Sequence, residues 1–381
     1  MSLSPQSQAS CSLNSFHHQM ASTPSCPTTS ASPELLLALK RTDSTFEEIP
    51  VIDIRDARSS DPVARRKLAD LIRDACINSH GVADEVINDT VEAAKRFFAL
   101  PEATKLELDI HKSPIFKGYT ALLGENTDAR GLGDLHEGFD LGWERPIQNS
   151  NSYESDTRDD GAMTGQNVWP ASLPGFKEAV LRYYHQVLEV GKLLFPLFAL
   201  ALDLPEDFFD NKTTKPAAIM RLLHYPPQSP TSFETDPEGR QIGIGAHTDR
   251  HDPNLLSPHF FAEEQCFTIL WQDRAGGLQV QNMAGKWIDA VPIPGTFIVN
   301  LGDQFSRWTN DVFKSTLHRV INHSGAERYS IPLFFGTDYN VLLEPIPTCI
   351  TPGSPSKYAL MTAGEYVRSR LEATYAHSVA V

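Results

Sequence analysis

From Ala217 to about Pro345 the chain is written in short apolar runs separated by turn residues. The candidate strands are 217–225, 242–246, 267–272, 278–281, 286–291, 296–301, 316–323 and 329–336. Eight short strands at this spacing suggest a sandwich or a jelly roll, because each must bury one face against a second sheet. The expected fold is therefore mainly β with flanking helices, with the jelly-roll core at 211–350.

What precedes the core has a different texture. Residues 1–45 are rich in Ser, Thr, Pro and Ala, and bury too little apolar surface to offset chain entropy, so they are expected to be disordered. Residues 46–210 form a mixed α/β region packing on the core. Val51–Ile54 is expected to be a strand, and Asp61–Cys76 a helix with Pro62 in its first turn. Asp84–Leu100 is expected to be a helix with an apolar stripe through Val86, Ile87, Ala93, Ala94, Phe97 and Phe98, ending before Pro101. Residues 144–170 are polar and expected to be a surface loop, and Pro174–Leu202 a long helix. Residues 351–381 hold a last helix, Thr362–Tyr375, and a tail.

The formal net charge of −15 argues against nucleic acid and anionic membranes as partners, since both select basic surfaces. No apolar run is long enough to span a bilayer, and the N-terminus lacks a basic segment followed by an apolar one. Cys11, Cys26, Cys76, Cys266 and Cys349 are scattered and form no Cys-x-x-Cys pair, which fits reduced thiols. The chain is expected to be a cytoplasmic monomer acting on a small molecule.

The chemistry lies in two places on the β region. His247-Thr248-Asp249 is followed 71 residues later by His318. Two imidazoles and a carboxylate are the ligand set of a non-heme Fe(II) oxygenase, leaving positions open for O2 and a co-substrate. Alone, His318 reads as a buried, hydrogen-bonded histidine; beside the other ligands it reads as the third. Ten residues on stands Arg328, with Ser330 on the same strand face. A guanidinium beside a hydroxyl is suited to hold a carboxylate. A protein carboxylate is the alternative partner for Arg328. Arg221 shares a strand face with Tyr225 and is either a further polar contact or half of a structural ion pair.

In these motifs the chain resembles the isopenicillin N synthase-like family of Fe(II)/2-oxoglutarate-dependent dioxygenases. The likeness also runs through Ile49–Ile54, Ala93–Pro101, Lys117-Gly118-Tyr119, Arg221–Pro227, Phe267–Asp273, Gly276–Val280 and Asn300–Asp303, covering about 46–376. It implies a double-stranded β-helix core, with Fe(II) held by His247, Asp249 and His318. It implies 2-oxoglutarate bound through Arg328, Ser330 and Tyr225, with O2 as oxidant and ascorbate as a stimulant. The implied reaction hydroxylates, desaturates or cyclises a small organic molecule and releases succinate and CO2. His136 and Phe139 fall in a segment that borders the substrate pocket of such enzymes, and Phe335 is a further lining candidate. Two other readings are an oxidase using the same triad without 2-oxoglutarate, and a diverged jelly roll that binds a metabolite without turnover.

Two departures from the family pattern stand out. Sixteen residues, Arg250–Gln265, separate Asp249 from the next strand where relatives have almost none. The segment shows no strand alternation and is expected to be a surface excursion, either a lid or a retained intron. Second, the apolar strand that relatives carry before the Asn-His-Gly turn is expected to be missing near 79–80, where Ser79 runs directly into His80-Gly81. Its loss would expose a neighbouring strand edge.

Overall fold

The computed structural model describes residues 46–73, 77–78, 82–125, 133–145, 166–227, 241–247, 265–322 and 326–375. The expectations for residues 1–45, for Asp249 and for 250–264 of the insert fall outside the described residues.

Eleven strands among the described residues form two antiparallel sheets. They are β1 (Ile77–Asn78), β2 (Gly118–Thr120), β3 (Glu137–Gly142), β4 (Ala218–Tyr225), β5 (Gln241–His247) and β6 (Phe267–Gln272). β7 (Leu278–Gln281), β8 (Trp287–Asp289), β9 (Ile298–Leu301), β10 (His318–Asn322) and β11 (Arg328–Phe335) complete them. The larger sheet runs β1-β9-β6-β11-β4-β3-β2, and the smaller runs β5-β10-β7-β8. The eight strands from β4 to β11 are thus shared four and four between facing sheets, the arrangement of a jelly roll.

Strand alternation gives the larger sheet two different faces. Ala218, Met220, Leu222, Phe267, Ile269, Leu333 and Phe335 belong to the main hydrophobic core. Leu223 and Leu270, on the opposite face, pack instead with Leu278 and Val320 of the smaller sheet. Against the core face lies the long helix α3 (Phe176–Ala201), backed by α1 (Pro62–Arg73) and α2 (Asp84–Phe98). Asp61 caps α1, its carboxylate accepting from the Val63 amide at 2.9 Å, and Pro62 occupies the first turn, where its missing N–H is not needed. The stripe expected for α2 is buried as written. Phe195 of α3 packs 5.2 Å from Phe267 and 5.6 Å from Phe335, ring centre to ring centre. The approach is close enough to require Gly191, since a Cβ there would lie 2.3 Å from Phe335 Cδ2.

Three expectations need correction. Val51–Ile54 is not a strand: Ile52 and Ile54 are buried and Val51 is exposed, as alternation demands, but the segment pairs with no described strand, and the chain turns into the 3-10 segment Arg55–Arg58. The strand thought missing near 79–80 survives as β1, pairing Ile77 with Val299 and Asn78 with Ile298. Backbone pairing at an edge does not need a run of apolar side chains, so Ile77 and Asn78 alone still supply it. The loop 144–170 is described only at its ends, and its C-terminal end is anchored. There the Asn167 amide donates to the Gly142 carbonyl and accepts from its amide, both at 2.9 Å, as a neighbouring strand would.

Candidate active site

His247 ends β5 and His318 begins β10, and the two are direct partners in the ladder. Their rings lie 4.1 Å apart and both are more than nine-tenths buried. A register shift between the pairs His247–His318 and Ile244–Val320 sets two residues of β5, Gly245 and Ala246, against one of β10, Arg319. Simple alternation from Ile244 would turn His247 away; the extra residue brings both to the cavity side. The Nδ1 atoms of His247 and His318 lie 2.8 Å and 3.0 Å from the carbonyls of Gly245 and Thr316. A carbonyl only accepts, so each Nδ1 carries the proton and each Nε2 carries the lone pair a metal needs. The donor chemistry therefore fits Fe(II). The expected third ligand, Asp249, lies outside the described residues, and no group of three ligand side chains forms among those described.

At the opposite end of these strands, past Asn322, the chain turns into β11 at Arg328. This guanidinium is 2% exposed. It donates to the Gly276 carbonyl at 2.6 Å, the Ser330 hydroxyl at 3.0 Å and the Gln272 amide oxygen at 3.4 Å, and lies 4.5 Å from the Tyr225 ring centre. Tyr225 is buried and hydrogen-bonded to Ser330; burial raises its hydroxyl pKa and keeps it a neutral donor. Every partner of Arg328 among the described residues is neutral. A buried cation without a carboxylate is unstable unless an anion reaches it.

Between the two ends is a cavity of about 860 Å³, counting its open mouth. Both imidazoles, Arg328, Ser330 and Tyr225 line it, and so do Leu223, Leu270, Leu278, Ile298 and Phe334. One wall is charged. Arg221 donates to Asp140 at 2.7 Å and to Glu125, and Glu125 meets His136 Nε2 at 3.2 Å. Arg221 is thus both cavity lining and half of a buried ion-pair cluster. Burial alone would raise the Glu125 pKa, but Arg221 and His136 outweigh it and hold it at about 2. Burial, reinforced by Glu125, raises Asp140 to about 6 against the pull of Arg221.

Among the proposed substrate contacts, His136 lines the cavity, whereas Phe139 and Phe335 do not. Phe139 packs on Phe97 at 4.8 Å and Phe176 at 5.5 Å, and Phe335 stacks on Phe267 at 5.3 Å, all on the helix side of the larger sheet. Parity explains this. Ser330 shares a face with Arg328, so Pro332 and Phe334 follow it into the cavity and Phe335 turns away. Phe334 was therefore readable from the spacing. Glu125 was not, because it comes from a loop with no strand phase. His224 is held between Glu137 and Glu327 at 2.7 Å and 2.9 Å, away from the cavity.

A jelly roll with paired imidazoles at one end of its cavity and an anion-seeking arginine at the other defines an iron- and 2-oxo-acid-dependent oxygenase core. Sequence comparison agrees. Residues 216–337 match the model of the 2OG-Fe(II) oxygenase superfamily, and 49–172 match the N-terminal region of non-haem dioxygenases in morphine synthesis. A 2-oxoglutarate-Fe(II) type oxidoreductase of Emericella nidulans, hxnY, is 36% identical over 87% of this chain and 91% of its own. A homoarginine-6-hydroxylase of Arabidopsis thaliana is 29% identical over 87% of this chain and 98% of its own. The crystal structure of a full-length Neurospora crassa protein in complex with alpha-ketoglutarate superposes with a TM-score of 0.71, at 28% identity, covering 88% of this chain and 99% of that one. The chain belongs to the 2OG-Fe(II) oxygenase superfamily, and it is a 2-oxoglutarate- and Fe(II)-dependent oxidoreductase.

Proposed function

We propose that His247, His318 and Asp249 hold Fe(II), and that Arg328, Ser330 and Tyr225 bind the distal carboxylate of 2-oxoglutarate. The observation that carries this reading is Arg328, buried among neutral partners and facing the cavity that ends at the imidazole pair. The Arg328 fork and the two hydroxyls fix one end of the co-substrate, so its keto-acid end is directed along the cavity toward His247 and His318. When bound there, Fe(II) couples O2-driven decarboxylation of 2-oxoglutarate to oxidation of the substrate, giving succinate and CO2. The apolar wall of Leu223, Leu270 and Ile298 excludes water and leaves room for a small organic molecule. Homoarginine, named for the Arabidopsis relative, and thymine, bound in a structure of the Neurospora crassa protein, are of that size. The same reading takes the protein as a cytoplasmic monomer stimulated by ascorbate, which fractionation, light scattering and turnover with and without ascorbate would check.

The test is succinate release under O2 from the Fe(II)-loaded protein, set against substrate loss. Equimolar succinate and product are expected, and His247→Ala should abolish iron binding as well as turnover. Product formed without succinate would overturn the role given to Arg328.

A further inference from the structure

We infer that Glu125 and His136 form the recognition point for a substrate carrying a cationic N–H group, such as an ammonium or guanidinium. The inference rests on the cavity serving as an oxygenase active site, as proposed above. Both residues line that cavity, and their side chains are 2% exposed. The Glu125 carboxylate only accepts, so His136 Nε2 carries the proton in their 3.2 Å contact. The other ring nitrogen, Nδ1, has no hydrogen-bond partner among the described residues, though it is buried. A buried polar atom left unmatched is destabilising, and such atoms persist where a ligand completes them.

What would complete it follows from the surrounding charge. In this wall one guanidinium, Arg221, faces two carboxylates, Asp140 and Glu125, so negative charge is in excess. An anionic group would meet Glu125 at close range and be repelled. Ammonium and guanidinium groups offer several hydrogens and need no acceptor, which suits an imidazole lone pair beside a carboxylate. The His136 ring lies 5.5 Å from that of Tyr225, so a group held here adjoins the proposed co-substrate site. The remaining wall, with Leu223, Leu270, Ile298 and Phe334, is apolar and suits a hydrocarbon body.

The experiment is calorimetric titration of the full chain with n-butylguanidinium, its tetramethylated derivative and pentanoate, each with and without 2-oxoglutarate. n-Butylguanidinium should bind at least about tenfold more tightly than either comparator, the effect of one well-placed hydrogen bond to a buried group. Glu125→Gln and His136→Phe should each erase that preference. Folding of both variants is checked separately by 2-oxoglutarate affinity and circular dichroism, and His136→Asn provides a smaller change should the phenylalanine variant misfold. Equal binding of the three probes, tighter binding of pentanoate or no binding of n-butylguanidinium would overturn the inference. Loss of 2-oxoglutarate binding in the unmodified protein would instead overturn the active-site assignment, since the probe titrations without co-substrate are scored on their own.

Discussion

Arg328 and Asp140 meet the same problem, a charge inside a protein, in opposite ways. Arg328 has no anionic partner among the described residues, so removing it relieves a burial cost while deleting the co-substrate's anchor. Arg328→Gln should therefore fold, and should weaken 2-oxoglutarate by about 100-fold or more, the usual effect of deleting one partner of a buried charge pair. Thermal shift provides a second readout. At about 100 times its dissociation constant, 2-oxoglutarate should stabilise the unmodified protein by about 2.7 kcal/mol, and the variant scarcely at all. Asp140 instead shares Arg221 with Glu125, and its pKa is raised from 3.8 to about 6. An acid whose folded pKa is raised contributes stability that is complete below 3.8 and lost as pH rises through about 6. Asp140→Asn mimics the protonated form. Its melting temperature should thus gain on the unmodified protein between pH 5 and pH 7.5; a gap that stays constant would contradict the raised pKa. Glu125 works the other way, its contribution being present above 4.5 and lost toward about pH 2.

Among the elements, the contact between α3 and β11 places a tight constraint on sequence. Gly191→Ala would place its Cβ against the Phe335 ring, with Phe267 stacked behind. Overpacking of this kind costs typically about 1–3 kcal/mol, measurable by chemical denaturation, and Phe335→Leu in the same chain should recover part of it. The strands of the core were legible in the sequence because short runs rich in apolar and β-branched residues, bounded by turn residues, mark them; β6 and β7 span 267–272 and 278–281 as read. β3, whose six residues include two glycines and two acidic residues, carries no such mark and was missed. Parity also sorted Arg328 and Ser330 correctly onto one face, and the same rule applied further along would have chosen Phe334 over Phe335. The bulge that aims His247 was not legible, because it depends on the register against β10 rather than on β5 alone. Glu125 was hidden for a related reason: its role comes from Arg221, 96 residues away in sequence.

On the scale of the whole molecule, the larger sheet ends at β1, which is only two residues long. An edge strand this short offers a strand from another molecule few backbone groups to pair with. At neutral pH the net charge of −15 adds mutual repulsion between molecules. Near the isoelectric point of about 5.3 that repulsion disappears, while the shortness of the edge still opposes association. Light scattering between pH 7.5 and 5 at low salt should show reversible self-association rising toward the acid end. The brevity of β1 would then limit how far clumping proceeds when the protein is concentrated, stored or crowded, a colloidal consequence of two residues of backbone pairing.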